Sequence, residues 1–460
     1  MTECRVVIVG GGISGLSAAF FLSRRAVQES LPVKITVLEA SDRFGGVLRT
    51  LTRGDLRMEA GADAFYAGRN DATDLCRTLG LEKDLVSAAP CFRRFFTLSD
   101  KKPFTVPVSP DSCLSVVRFL SDPGLSFSAK WRVLGEPFIP RRKGERDESL
   151  ASFIRRRLGE GFCQEIVKPL IQGVYMMDPE CVSLEALFPR LRTGEKTYGS
   201  LAGSFLNSVF RKKEKDSAEF LTLKQGLERL AQALVRELKM CDLRKSTPVQ
   251  RCAYHAGGGW EIFLEDGEVL HADSLGLAMN ACDSSKLLSG AAPELSRELL
   301  NIRYDSIATV NLIYSPGDVP ARELAPGFMV SMKGERYPFS SLKWLGQSAD
   351  GKGLLLRAFL SEAMNPQIFR ESDEMLKQKI RTFLSDSFDI QAQPLFINVE
   401  RYPNALPQYE TGHLERVAQI EKETLRYPGL FLTGNGFLGF GITDCIRQAR
   451  MAASTLRLPA

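Results

Sequence analysis

Hydrophobic and polar positions change period several times along this 460-residue chain. Residues 5–9 (R-V-V-I-V) form a nearly continuous β-branched run, as expected of a strand covered on both faces. Ile13, Leu16 and Phe20 then recur at helical spacing, and residues 34–39 (K-I-T-V-L-E) read as a second strand. A strand–helix–strand opening implies a parallel sheet with right-handed crossovers. From about residue 88 to 214 the pattern changes. Pro103, Pro107 and Pro110 punctuate an extended entry, and helical periodicity follows through residues 149–158 and 164–171, predicting an inserted, mainly helical lobe. Residues 140–146 (P-R-R-K-G-E-R) form a basic loop, either solvated or in contact with membrane phosphates.

From residue 220 to about 288 the α/β pattern returns. Leu227, Leu230, Leu234 and Leu238 share one helical face, and Asp266-Gly267 between two β-like runs predicts a hairpin. Residues 302–400 alternate strand-like runs with one long helix near 373–384. Near the end, residues 429–436 read as a strand running into glycines, with a helix over about 442–453.

Composition narrows the class. The chain is 44% hydrophobic and 25% charged, an ordinary globular balance, and its length predicts two or three lobes. The net charge of +5 comes without Lys/Arg stripes, which argues against nucleic acid and suits an anionic small molecule or membrane surface. Ten cysteines lie scattered with no C-x-x-C pair, the usage of reduced thiols in a cytoplasmic protein. The three histidines, His255, His271 and His413, lack ligand spacing, so no metal is expected. The N-terminal apolar run is short, lacks a basic leader and ends in glycines, unlike a signal peptide. No run approaches the roughly eighteen apolar residues of a membrane span.

Three motifs carry chemistry. Gly10, Gly12 and Gly15 fit G-x-G-x-x-G between a strand and a helix that starts at Ile13 and Ser14. Such a turn lets backbone approach a pyrophosphate and rests its charge on the helix N-terminus. Glu39 ends the next strand, where a carboxylate can accept both ribose hydroxyls of an adenosine. After Ala40, Arg43 with Gly45 and Gly46 offers a cation and open N–H groups, a continuation shared by amine oxidase-like flavoproteins, and predicts FAD over NAD. At the far end, Gly434 and the helix start at Gly441, Ile442 and Thr443 can face the flavin pyrimidine, where negative charge develops on reduction. Asp444 there is either a flavin-site acid or an ordinary first-turn acid. Both chain ends are thus expected to build one dinucleotide site.

With these motifs in hand, the sequence resembles the oxygen-dependent porphyrinogen oxidases of haem synthesis, the protoporphyrinogen oxidases and their coproporphyrinogen-oxidising bacterial relatives. The specific likeness lies in residues 147–150 (D-E-S-L) with R-L-G at 157–159, and in Q-G-V-Y at 172–175 with Asp178-Pro179. Ser183-Leu184, Phe188-Pro189, L-P-Q-Y at 406–409 with Gly412-His413, and the 434–447 run ending D-C-I-R complete it, over nearly the whole chain. The resemblance implies an α/β architecture with an α+β substrate lobe: a Rossmann-like FAD-binding domain in segments 1–87, 215–290 and 405–460, a helical lobe at 88–214, and a substrate domain at 291–404. It implies six-electron oxidation of a porphyrinogen, protoporphyrinogen IX or alternatively coproporphyrinogen III, in three rounds of hydride transfer to flavin. Dioxygen is then the acceptor and hydrogen peroxide the by-product. It adds Val249 to the cofactor contacts. It allows peripheral contact with the inner face of the membrane and hand-over to the next haem-pathway enzyme.

The same resemblance assigns substrate positioning rather than acid–base roles. Arg94 matches a propionate-pairing position, with Arg93 adjacent, although an exposed arginine is the plain alternative. Gly173 matches a glycine against the tetrapyrrole or is simply a helix-end glycine; Phe328 matches an aromatic on a pyrrole ring or packs in a core. Where relatives often read G-P-N-S-F, this chain has Gly61-Ala62-Asp63-Ala64-Phe65, putting an acid at Asp63 near the flavin and the reacting ring. Met176-Met177 replaces common small residues. Within the same fold, an amine oxidase or carotenoid desaturase is the competing reading; outside it, a dinucleotide-binding module without turnover.

Overall fold

A computed structural model describes residues 3–54, 56–88, 94–98, 104–106, 127–210, 220–255, 257–320, 328–332, 339–347 and 353–458. Arg93 and residues 326–327 lie outside these, and for the strands Arg94–Leu98, Phe104–Val106 and Phe328–Met332 the backbone alone is described.

The first apolar run becomes the strand Cys4–Val9, at the centre of a five-stranded parallel sheet. Across the sheet the order is Asp242–Arg244, Val33–Leu38, Cys4–Val9, Ser274–Leu277, Leu430–Leu432. Val6 and Ile8 pack on the helices Ile13–Gln28 and Ile442–Thr455, while Val7 and Val9 pack on the meander that contains Trp260 and Ile262. Both faces are covered, which is why these strands lack polar alternation. The last strand brings the C-terminal glycines to the carboxyl edge that already carries Gly10 and Glu39, where open α/β sheets bind ligands. The predicted hairpin forms between Trp260–Leu264 and Val269–Ala272, turning at Gly267 with φ 93°.

A second sheet has seven strands in the order Phe396–Pro407, Tyr304–Tyr314, Leu354–Ser361, Ser341–Gln347, Phe328–Met332, Arg94–Leu98, Phe104–Val106. Only Phe328–Met332 and Arg94–Leu98 run parallel. Val310, Leu312, Leu342, Trp344, Leu356 and Ala358 bury one face against Leu376, Ile380 and Leu384 of the helix Asp373–Phe388. The residues between them face the other way and include a cross-strand row in register: Asn398, Asn311, Arg357, Lys343.

Within the stretch expected to be mainly helical, the first described elements are the two strands that join this second sheet. Helices begin at Phe127–Leu134 and continue through Leu150–Leu158, Lys168–Tyr175 and Pro189–Tyr198. Ser149 starts Leu150–Leu158 by accepting the Ser152 N–H on its side chain, so this motif serine is an N-cap. Asp147 accepts from the Ser183 hydroxyl at 2.6 Å and from the Gly412 N–H at 2.9 Å, which ties three distant motif blocks together. Arg157 is fully buried, with its charge met by Glu136 and by the carbonyls of Ile139 and Gly199. Among the described residues no helix is long and apolar enough to cross a membrane, and every described cysteine is a free thiol.

Candidate cofactor and active site

A cavity of about 450 Å³ opens at the carboxyl edge of the parallel sheet. Gly10, Gly12, Ile13, Ser14, Glu39 and Gly46 line it from the N-terminal segment, and Gly434, Gly441 and Ile442 from the C-terminal one. An adjoining chamber of about 410 Å³ shares Gly10 and Glu39 and adds Ala40 and Val249. Glu39 accepts the Gly11 N–H at 2.7 Å and the Ser41 N–H at 2.8 Å, which fixes its carboxylate between the two chambers. Two glycine requirements are steric. A Cβ on Gly15 would drive into the Gly10 carbonyl oxygen, and one on Gly46, at φ 57°, would stand only 3.2 Å from the Gly12 Cα, so the close approach of the two loops favours a bare residue at Gly46.

Four residues expected at the cofactor stand behind the wall instead of on it. Gly15 packs helix to turn, and Gly45 donates its N–H to the Gly11 carbonyl at 2.8 Å. Arg43 turns its guanidinium to the carbonyls of Phe44, Gly46 and Leu48, with Glu228 at 3.8 Å, and so braces the glycine loop. The Thr443 hydroxyl donates to the Tyr66 carbonyl at 2.7 Å. Asp444 pairs with Arg69 at 2.6 Å and is absent from the cavity lining, the behaviour of an ordinary first-turn acid.

The L-P-Q-Y…G-H motif acts as a clamp on the C-terminal glycine loop. The Tyr409 hydroxyl donates to the Asn435 carbonyl at 2.7 Å and accepts the Gly439 N–H at 3.0 Å. Stacked on it at 3.8 Å, His413 donates from Nε2 to the Phe437 carbonyl at 2.8 Å. Both rings are buried, and burial pushes the His413 imidazole down to about 4. Gln448 holds both Leu438 N–H and Gly439 carbonyl.

Ala62 and Ala64 also line the cavity, with Asp63 between them in sequence. Both Asp63 oxygens are engaged: Lys343 Nζ lies 2.5 Å from Oδ2, and Arg357 bonds Oδ1. Arg357 also donates to the Gly61 carbonyl at 2.8 Å and to Asn311 at 2.6 Å. Burial alone would raise the Asp63 carboxyl, but Arg357 and Lys343 outweigh it and hold it below the usual range. Glu59, four residues earlier, is pushed up to about 7, chiefly by burial, with Asp63 adding to the rise. The acid expected at Asp63 is therefore an ionised carboxylate with both oxygens engaged.

Sequence reasoning missed Lys343, Arg357 and Tyr402. The signal was present for the first two: each is a single cation inside an otherwise apolar strand (S-L-K-W-L, L-L-R-A-F). Tyr402 lines the cavity, and its buried hydroxyl has no partner among the described residues. The backbone register pairs Phe328 with Arg94, and the helix Lys168–Tyr175, with Gly173 buried in it, packs against the Phe328–Met332 strand. Met176 and Met177 are buried beside a separate cavity of about 410 Å³ near Arg303 and Glu410.

The description of flavin-containing amine oxidoreductases matches residues 13–457. The chain belongs to that family. Within it, coproporphyrinogen III oxidase of Bacillus subtilis (strain 168) is 30% identical over 461 residues, covering 98% of this chain and 97% of its own. Protoporphyrinogen oxidase of Homo sapiens is 28% identical over 482 residues, covering 97% of each chain. A solved structure, of a candidate protoporphyrinogen oxidase from Exiguobacterium sp. 255-15, superposes with a TM-score of 0.86 at 27% identity over 99% of both chains. This flavoprotein is thus an oxidoreductase of the porphyrinogen oxidase branch. The cavity suits the cofactor on its own terms: bare glycine loops meet a helix N-terminus at Ile13, and a fixed carboxylate stands at Glu39.

Proposed function

We propose that this protein uses FAD to oxidise a porphyrinogen to the porphyrin, with dioxygen as the electron acceptor. The observation that carries the reading is similarity to a coproporphyrinogen III oxidase at 30% identity and to a protoporphyrinogen oxidase at 28%, over 97–98% of this chain and 97% of each relative. On this reading Glu39, Ala40 and Val249 hold the adenosine end, Gly10, Gly12 and Gly46 the pyrophosphate, and Gly434, Gly441 and Ile442 the flavin end. When bound, the flavin accepts two electrons per cycle, so removing six electrons and six hydrogens takes three cycles, three dioxygen molecules and three hydrogen peroxides.

The chain's own residues position the macrocycle. Arg94 and Phe328 lie on paired strands, and the helix that carries Gly173 packs against the Phe328 strand, a proximity that supports their roles toward a propionate, a pyrrole ring and backbone approach. Each round would take a hydride from the substrate to the cofactor and release one proton from the substrate to solvent, so three rounds account for all six hydrogens and no dedicated acid–base pair is assigned. The chain divides accordingly into FAD-binding segments 1–87, 215–290 and 405–460, a helical lobe at 88–214 and a substrate domain at 291–404. It works in the cytoplasm with peripheral contact to the inner membrane face.

Protoporphyrinogen IX is the first substrate reading. Coproporphyrinogen III is the second, favoured by the Bacillus subtilis relative. Chemically reduced porphyrinogens mixed with the purified protein in air should develop porphyrin fluorescence far faster than the autoxidation blank. Parallel rates on the two substrates rank them, and no excess over the blank on either would overturn the assignment.

A further inference from the structure

The second sheet delivers Lys343 and Arg357 to Asp63, and Asp63 sits between two residues that line the cofactor cavity. Arg357 is fully buried, while the side chains of Lys343 and Asp63 are only 10% and 16% exposed. Charges so placed are poorly screened by water or salt, so each acts at close range on whatever occupies the cavity. Ala62 and Ala64 line the larger chamber and not the one that adds Ala40 and Val249, so on the cofactor reading they stand with the flavin rather than with the adenosine.

Asp63 stands where the resemblance gives relatives an amide. An amide would still accept from Arg357 and leave the Gly61 carbonyl contact intact, so holding the loop does not require a charge. The carboxylate and its cations change chiefly the electrostatic potential. Reduced flavin carries more negative charge than oxidised flavin, and fixed cations nearby favour it while fixed anions oppose it.

We propose that Asp63, Lys343 and Arg357 form a buried charged group that sets the reduction potential of the bound flavin, the two cations raising it and Asp63 restraining it. All three are positioning residues: they act through the cofactor's electronics. The inference rests on the flavin assignment and is independent of which porphyrinogen is used.

The test is a charge cycle on the flavin-loaded protein, with the midpoint potential read by dye equilibration at about pH 6, where a lysine stays protonated. Asp63→Asn should favour reduced flavin at least tenfold, about 30 mV upward for a two-electron couple. Lys343→Met should move the potential downward by a similar factor. The double variant should return close to the parent. Damage to the wall would shift both single variants in the same direction, and that result, or no shift in Asp63→Asn, overturns the proposal. If Lys343→Met does not fold, Lys343→Gln serves in its place, and Asp63→Asn decides alone. A parent protein that takes up no flavin would instead count against the cofactor reading.

Discussion

Tyr402 shows how much a single hydroxyl can say. Its O–H is buried with no acceptor among the described residues, and burial, with Glu400 adding, raises its phenol to about 12, so it is a neutral donor. A buried donor left unpaired is costly. Tyr402→Phe keeps the ring and removes the donor. The flavin-free protein should then hold its stability or gain up to about 1 kcal/mol, with flavin affinity unchanged. Melting curves check this, and a clear loss of stability would show that the hydroxyl has a partner after all. At this scale the glycines were legible in the sequence because a bare Cα is a local requirement. Tyr402 was not, because its role depends on a neighbour some 340 residues earlier, Gly61, whose Cβ would stand 3.3 Å from its hydroxyl.

Among the elements, the closing strand, its glycine loop and the helix Ile442–Thr455 depend on the Tyr409–His413 clamp, and the clamp carries a pH signature. His413 is neutral when folded, its value lowered from 6.5 to about 4. A depressed histidine contributes stability that is complete above 6.5 and declines as pH falls from there toward 4, because the unfolded chain takes up the proton first. At 1.4 kcal/mol per pKa unit the loss is roughly 3 kcal/mol at its limit. His413→Gln, which can keep the bond to the Phe437 carbonyl, should lose less stability between pH 7 and pH 4 than the parent. Melting temperatures across that range test it; parallel curves would show that His413 does not dominate the acid limb. Helices and hairpin were readable from periodicity and turn chemistry, whereas the strands Arg94–Leu98 and Phe104–Val106 lie where the pattern reads only as an extended entry to a helical lobe, not as part of a sheet. Short edge strands take their identity from the sheet they join.

Across the whole molecule, one surface is conspicuously apolar. Phe127, Trp131 and Leu134 fall at i, i+4 and i+7 on one helix and are 76%, 62% and 54% exposed, with Phe138 at 89%. The basic loop at 140–146 follows directly, with Lys143 and Arg146 exposed. Aromatic side chains beside cations are the chemistry of a helix lying at a lipid interface. Phe127→Ser with Trp131→Ser should reduce co-sedimentation with anionic vesicles several-fold while the flavin spectrum stays unchanged, and equal binding would refute membrane contact through this surface. The sequence by itself determined the dinucleotide-binding start, the class of cofactor and the branch of the family, because glycine spacing, a terminal carboxylate and motif order are local properties of the chain. Only the tertiary structure decided that Arg43 braces a loop, that Tyr409 and His413 clamp another, and that Asp63 answers to Lys343 and Arg357. Those partners lie far apart in sequence, and a charge or a hydroxyl acquires its meaning from what folding sets against it in a place water does not reach.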